Sequence, residues 1–208
     1  MFGDLLEGFR IFLCLVLAGA AIKWVDDYLD AEYDICRGKH TLAVRMSRSA
    51  LPYGMVLAFL AAAAQLPMAL SVFFGSYAVG MLSDWKQVLP TKLPAWLETV
   101  MAVALSLVLT GWRTALWGLL LMAMFDWLDD LVDRLADQRT GQHNIALRLG
   151  VVEATLLTML ALCGAILLNA WWTAIAFLAF TVITMWSEAT TRSLWSASGE
   201  DDKEVPWG

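Results

Sequence analysis

The chain has 208 residues, room for one domain, and 60% of them are apolar, against roughly 45–50% in soluble domains. Its mean hydropathy is +0.63, and its eleven Trp suit a headgroup interface, so composition points to lipid rather than water. The net charge is −6, but eight aspartates in two short clusters account for it; this describes two concentrated cation sites, and no basic stripe marks the chain for nucleic acid.

The first apolar run covers about 8–25. Its Ala18-Gly19-Ala20-Ala21 resembles a leader cleavage region, but no basic start precedes the run. The Trp24-Val25-Asp26-Asp27 that closes it also returns as Trp127-Leu128-Asp129-Asp130 after a later run. Further apolar runs lie near 50–65, 67–83, 93–110, 112–128, 151–168 and 170–189, with Pro67, Gly111 and Asn169 at tight joins. Several fall short of the ~20 residues usual for a spanning helix. The expected fold is all-α: a polytopic membrane helix bundle of about seven transmembrane helices with a tandem pseudo-repeat. Residues 1–190 form one transmembrane domain. It contains pseudo-repeats at about 8–83 and 111–190, joined by a helix at about 93–110, and 191–208 is a polar, disordered tail.

Charge sets the expected orientation. Arg37, Lys39, Arg45, Arg48, Arg134, Arg139 and Arg148 lie in the two segments after the Trp-x-Asp-Asp sequences, and Lys86 and Lys92 lie in the 84–92 connection. The opposite joins hold only Arg113. The positive-inside rule therefore places both motif segments and the C-terminus in the cytoplasm and the N-terminus outside, in a cell membrane. Cys14, Cys36 and Cys163 form no CxxC pair and read as structural, with no disulfide or zinc.

Residues 24–47 and 127–150 align without a gap at an offset of 103. Identical pairs include Asp26/Asp129, Asp27/Asp130, Asp30/Asp133, Asp34/Asp137, Gly38/Gly141, His40/His143 and Arg45/Arg148. If each copy continues its helix out of the membrane, Asp26, Asp30 and Asp34 fall at i, i+4 and i+8, with Asp27 three residues before Asp30. Carboxylates so packed repel one another unless a cation neutralises them. Mg²⁺ suits such oxygen ligands and keeps waters and substrate phosphates in its shell. The eight aspartates are thus candidate metal ligands, bridging a diphosphate. Lys39, Arg45, Arg139 and Arg148 are candidates for its remaining oxygens, with His40 and His143 as further donors or loop caps. The competing reading is a metal-stabilised structural site without catalysis. Lys23 and Asp126 occupy equivalent positions one turn before the motifs; Lys23 reads first as a snorkelling lysine. Glu98 and Glu188, close to helix ends, carry little weight, and Trp171 and Trp172 read as interface anchors.

The motifs resemble those of the UbiA superfamily of intramembrane prenyltransferases. Asp26-Asp27-Tyr28-Leu29-Asp30-Ala31-Glu32-Tyr33-Asp34 is similar to that family's NDxxDxxxD, with Asp26 in place of Asn. Asp130, Asp133 and Asp137 with Thr140-Gly141 through Gly150 resemble its second motif, as does Gly38-Lys39-His40-Thr41-Leu42 in the first copy. The resemblance implies a Mg²⁺-dependent prenyltransferase, with Asp27, Asp30, Asp130 and Asp133 central to catalysis. Such an enzyme ionises a prenyl diphosphate and transfers the isoprenoid chain to an aromatic or lipid acceptor within the membrane. Family members typically have nine helices, and the seven here match the second to eighth. A homodimer or a partner subunit would replace the missing wall. Two other functions stay open: a non-catalytic lipid-diphosphate-binding or accessory membrane subunit, and a UbiA-type terpene cyclase. A CDP-alcohol phosphotransferase is rejected, because Tyr28 and Leu131 stand where its motif needs Gly.

Overall fold

The computed structural model describes residues 2–29, 31, 41, 46, 49–82, 85–141 and 144–201. Among them every regular element is a helix: α1 (Phe2–Leu29), α2 (Ala50–Ala64), α3 (Leu66–Gly80), α4 (Ala95–Thr110), α5 (Trp112–Thr140), α6 (Ile145–Leu149) and α7 (Val151–Asp201). α7 is broken at Asn169, whose backbone is extended at φ −162°, ψ 97°, so the two expected runs are present on either side of a sharp joint.

The element ends differ from expectation in three places. α5 runs twelve residues past the apolar stretch that ends near 128, because Asp-Asp-Leu-Val-Asp-Arg-Leu-Ala-Asp-Gln-Arg contains no Gly or Pro and continues the helix in water. α7 likewise continues to Asp201, beyond the end expected near 189. The five-residue α6 had no periodic signal; it exists because Asn144 caps it, its Oδ1 accepting from the Ala146 and Leu147 amides.

The core is built from α1, α3, α5 and α7, with Ala61 of α2. α1 packs on α2, α3 and α7, and α5 packs on α3, α4, α6 and α7. The two helices that carry the aspartates therefore lie on opposite sides of α3 and α7. Small residues dominate the inside: Ala18, Ala61, Ala69, Ala154, Ala165 and Ala176 are almost wholly buried. Large apolar side chains face outward, with Phe59 68%, Val108 82% and Leu167 86% exposed. Water drives the reverse arrangement. Small-inside, large-outside packing is what helices adopt when the surrounding solvent is as apolar as leucine. Two helical stretches, Leu5–Leu29 and Val151–Thr190, are long and apolar enough to cross a membrane, while Ala50–Ala64, Leu66–Gly80 and Ala95–Thr110 are shorter apolar helices.

α3 and α5 approach backbone to backbone. A Cβ on Gly75 would lie 2.7 Å from the Gly118 carbonyl oxygen, and one on Gly118 would lie 2.6 Å from that of Ser71. Glycine at this crossing lets the two backbones touch.

Two joints share one conformation. Gln65, between α2 and α3, has φ −156°, ψ 91°, within 6° of Asn169 in both angles. Each joint is held by the helix of its own sequence copy. The buried Cys14 thiol of α1 donates to the Gln65 carbonyl at 3.4 Å. The buried Trp117 indole of α5 donates to Thr173 Oγ1 at 3.0 Å, and Thr173 donates to the Asn169 carbonyl at 2.8 Å. Cys14 and Trp117 are themselves 103 positions apart. Gly111, the joint between α4 and α5, is different: its φ of 81° lies in the region that favours glycine.

Candidate functional site at the aspartate-bearing helix ends

The C-terminal turns of α5 place Asp126, Asp130, Asp133 and Asp137 at i, i+4, i+7 and i+11, one stripe along the helix, with Asp129 beside it. The helix then stops at Gly141, which adopts the left-handed conformation (φ 75°) and donates its amide to the Asp137 carbonyl at 2.8 Å. This stop turns the chain back over the stripe. Asn144 is the residue that clasps it. Its Nδ2 donates to Asp137 Oδ2 at 2.7 Å and to the Asp130 carbonyl at 2.6 Å. The next amide, Ile145, donates to Asp130 Oδ2 at 2.7 Å. Asp137 and Asn144 are both buried, so a polar pair is satisfied in the interior of the turn. Sequence reasoning missed Asn144 as a site residue. The available signal was Asn immediately before a short apolar stretch, a cap signature, but its bonds to Asp130 and Asp137 depend on tertiary return.

Burial raises the Asp130 carboxyl to a pKa of about 6. The Ile145 amide opposes the rise, and the negative charges of Asp137, Asp129 and Asp133 add to it. A carboxylate in this state binds a proton or a metal ion readily.

On the other motif helix, Lys23 Nζ sits 3.2 Å from Asp27 Oδ1, a pair one turn apart. Both sequence copies thus bring acidic side chains to the same end of the bundle. Trp24 lies 6.1 Å from both Tyr53 of α2 and Trp186 of α7, ring centre to ring centre. It fixes the end of α1 against its neighbours. A narrow recess beside Lys23 and Asp27 is completed by Trp186, Ser187 and Thr190 of α7.

Asp26, Asp27, Asp129, Asp130, Asp133 and Asp137 are thus placed at one end of the bundle. Arg139 and Arg148 are exposed close to the clasped turn. Asp30, Asp34, Lys39, His40, Arg45 and His143 lie outside the described residues. Glu98 has a local role: Tyr77 and Thr91 each donate a hydroxyl to its carboxylate, tying α3 and the following connection to the first turn of α4.

Among the described residues, no three acid, His or Cys side chains converge on a single point. The donor set nevertheless fits a hard cation of the Mg²⁺ kind. It consists of carboxylates alone, and such an ion takes one or two from the protein while water and phosphate oxygens complete its shell. Comparison with protein-family models, with curated proteins and with solved structures returns no match to this chain.

Proposed function

We propose that the chain is a seven-span membrane protein of the UbiA type that transfers an isoprenoid chain from a prenyl diphosphate to a hydrophobic acceptor, with Mg²⁺ as cofactor. The observation that carries this reading is that both sequence copies bring their aspartates to one end of the bundle, Asp26 and Asp27 at the end of α1 and Asp129, Asp130 and Asp133 in the last turns of α5. The paired joints at Gln65 and Asn169, anchored from the equivalent positions Cys14 and Trp117, support a tandem repeat in space as well as in sequence. A binding site between repeats is a recurrent arrangement in membrane proteins.

In this reading Asp129, Asp130, Asp133 and Asp137 with Asp26, Asp27, Asp30 and Asp34 would hold the metal, whose positive charge would offset that of the diphosphate. Lys23 supplies a positive charge at the end of α1 and the exposed Arg139 and Arg148 supply others; the C–O bond pair leaves with the diphosphate, whose charge these cations offset, and the allylic cation is captured by the acceptor. The Asn144 clasp keeps the α5 turns in register while that charge moves. The isoprenoid tail lies along the apolar helices, open to lipid, and the motif end faces the cytoplasm, where the cationic residues collect.

The test is diphosphate release by purified protein in lipid, with a panel of C10–C20 prenyl diphosphates and membrane extract as acceptor source. Turnover that requires Mg²⁺, and that Asp30→Asn and Asp133→Asn each abolish, supports the reading. Binding of the diphosphates without turnover, with a partner protein retained through purification, would instead mark an accessory subunit.

A further inference from the structure

Each motif helix has a charge at both ends of its apolar stretch. Arg10 opens the stretch on α1 and Lys23 closes it; Arg113 opens the stretch on α5 and Asp126 closes it. Arg10 and Arg113 stand 103 positions apart, as do Lys23 and Asp126, so the two stretches are equal in length. On each helix the closing charge comes 13 residues after the opening one, about 20 Å of α-helix.

The opening charges are held at the level of the joints. The Arg10 guanidinium donates twice to the Ala64 carbonyl, at 3.0 and 3.3 Å, beside Gln65. Arg113 Cζ lies 5.6 Å from the centre of the Trp112 ring, next to Gly111. α1 begins two turns before Arg10, but there the exposed Glu7 stands among Leu5, Leu6 and Phe9, a mixture suited to the headgroup layer rather than to hydrocarbon.

The other helices have the same height. α3 and α4 have 15 and 16 residues, about 22 and 24 Å, and any tilt shortens their reach. On α7, Glu153 precedes the Asn169 joint by 16 residues, about 24 Å. Beyond the joint, Trp171 and Trp186, both exposed, are 15 residues apart, about 22 Å.

An ordinary bilayer has about 30 Å of hydrocarbon. A bundle that falls short is accommodated by snorkelling side chains, by association with another protein, or by thinning of the bilayer. Arg10 cannot snorkel without giving up Ala64, and aspartate lacks the long stem that snorkelling needs. Close association in lipid uses small residues at the contact, whereas the outer faces of α2, α4 and α7 carry Phe59, Val108 and Leu167. Thinning of the bilayer is the accommodation that these side chains leave open.

We propose that the outer surface of the bundle is matched to a bilayer with hydrocarbon about 20–24 Å thick, so that the protein favours short-chain lipid and thins a thicker membrane around itself. The inference rests on the seven-span reading and is independent of prenyl transfer.

The probe is phosphatidylcholine with monounsaturated chains of 14, 16, 18, 20 or 22 carbons, and full-length protein is reconstituted in vesicles of each. Alkaline carbonate washing comes first. Protein stripped from every vesicle would overturn the spanning arrangement and this inference with it. For retained protein, the thermal unfolding midpoint is read by circular dichroism. It is highest with chains of 14 or 16 carbons and falls by roughly 5–10 °C toward 22 carbons. Retained protein whose midpoint is highest at 18 carbons or longer, or does not depend on chain length, would overturn the inference alone and leave the spanning bundle standing.

Discussion

Asp130 is where burial, charge and backbone meet. Its pKa of about 6 lies above the ordinary carboxylate value of 3.8, so folding favours its protonated form. The stabilising contribution of that proton is complete below pH 3.8, declines as pH rises, and is gone above about 6. In metal-free buffer the protein should therefore melt at a higher temperature at pH 5 than at pH 7.5. Mg²⁺ should raise the pH 7.5 value more than the pH 5 value, because the ion replaces the lost proton. Asp130→Asn, which keeps an oxygen for the Ile145 amide, should narrow the difference between the two pH values; thermal unfolding of both proteins with and without Mg²⁺ decides it. The neighbouring Asn144 tests the clasp. Asn144→Ala removes a helix cap and leaves the buried Asp137 short of a donor, at a cost of about 2–4 kcal/mol. Asn144→Asp keeps the cap but faces Asp137 with like charge, so it should be no better than Ala in denaturant unfolding. A variant at Asp that matched the parent would mean that the bond to Asp137 contributes nothing.

At the scale of elements, the α3–α5 crossing depends on glycine at two positions. Gly75→Ala sets a methyl against the Gly118 carbonyl, backbone against backbone, and neither can yield by rotating a side chain. The helices must separate, and the expected loss is about 1–3 kcal/mol. Gly80→Ala, five residues on in the same helix, meets no atom within 4 Å and should change stability little, which makes it the control in thermal unfolding. Much of this layer could be read from the sequence. The apolar runs located the main helices, and Asn169 and Gly111 marked true joints. Cys14 and Trp117, which hold two of the joints, stand at the same 103-residue offset, but they lie outside the aligned copies and only the fold shows their part. Three features were not legible. α5 outlasts its apolar run because the acidic stretch is itself a good helix, and hydropathy measures solvent preference rather than helical continuity. α6 is too short to show a period. The Gly75–Gly118 contact joins two glycines that only the packing of α3 on α5 brings opposite one another.

For the whole molecule, the order of the helices fixes two ends. The C-terminal turns of α1, α3 and α5, the start of α4 and the Trp186–Thr190 stretch of α7 share one end, with the Asn144 clasp. Gln65, Gly111 and Asn169 share the other. Among the described residues, Lys86, Lys92, Arg134, Arg139 and Arg148 lie at the first end, while the second has Arg113 and Arg10, whose guanidinium donates to the Ala64 carbonyl beside the Gln65 joint. This asymmetry has a consequence for the bundle as a whole, since a chain inserted by the positive-inside rule presents the aspartates to the cytoplasm and the three joints to the other side. In a background with Cys36 and Cys163 replaced by Ser, and the buried Cys14 retained, a cysteine introduced at Trp85 or Gln138 should react with a membrane-impermeant maleimide only after the cytoplasmic face is opened. One introduced at Arg113 should react in intact cells. Trp85, Gln138 and Arg113 are all exposed, so failure to react cannot be laid to burial within the protein. Labelling of Trp85→Cys and Arg113→Cys from the same side would rule out the proposed seven-span arrangement. Labelling of both in the reverse sense would keep the bundle but turn it over, placing the aspartates where a cytoplasmic prenyl diphosphate could not reach them.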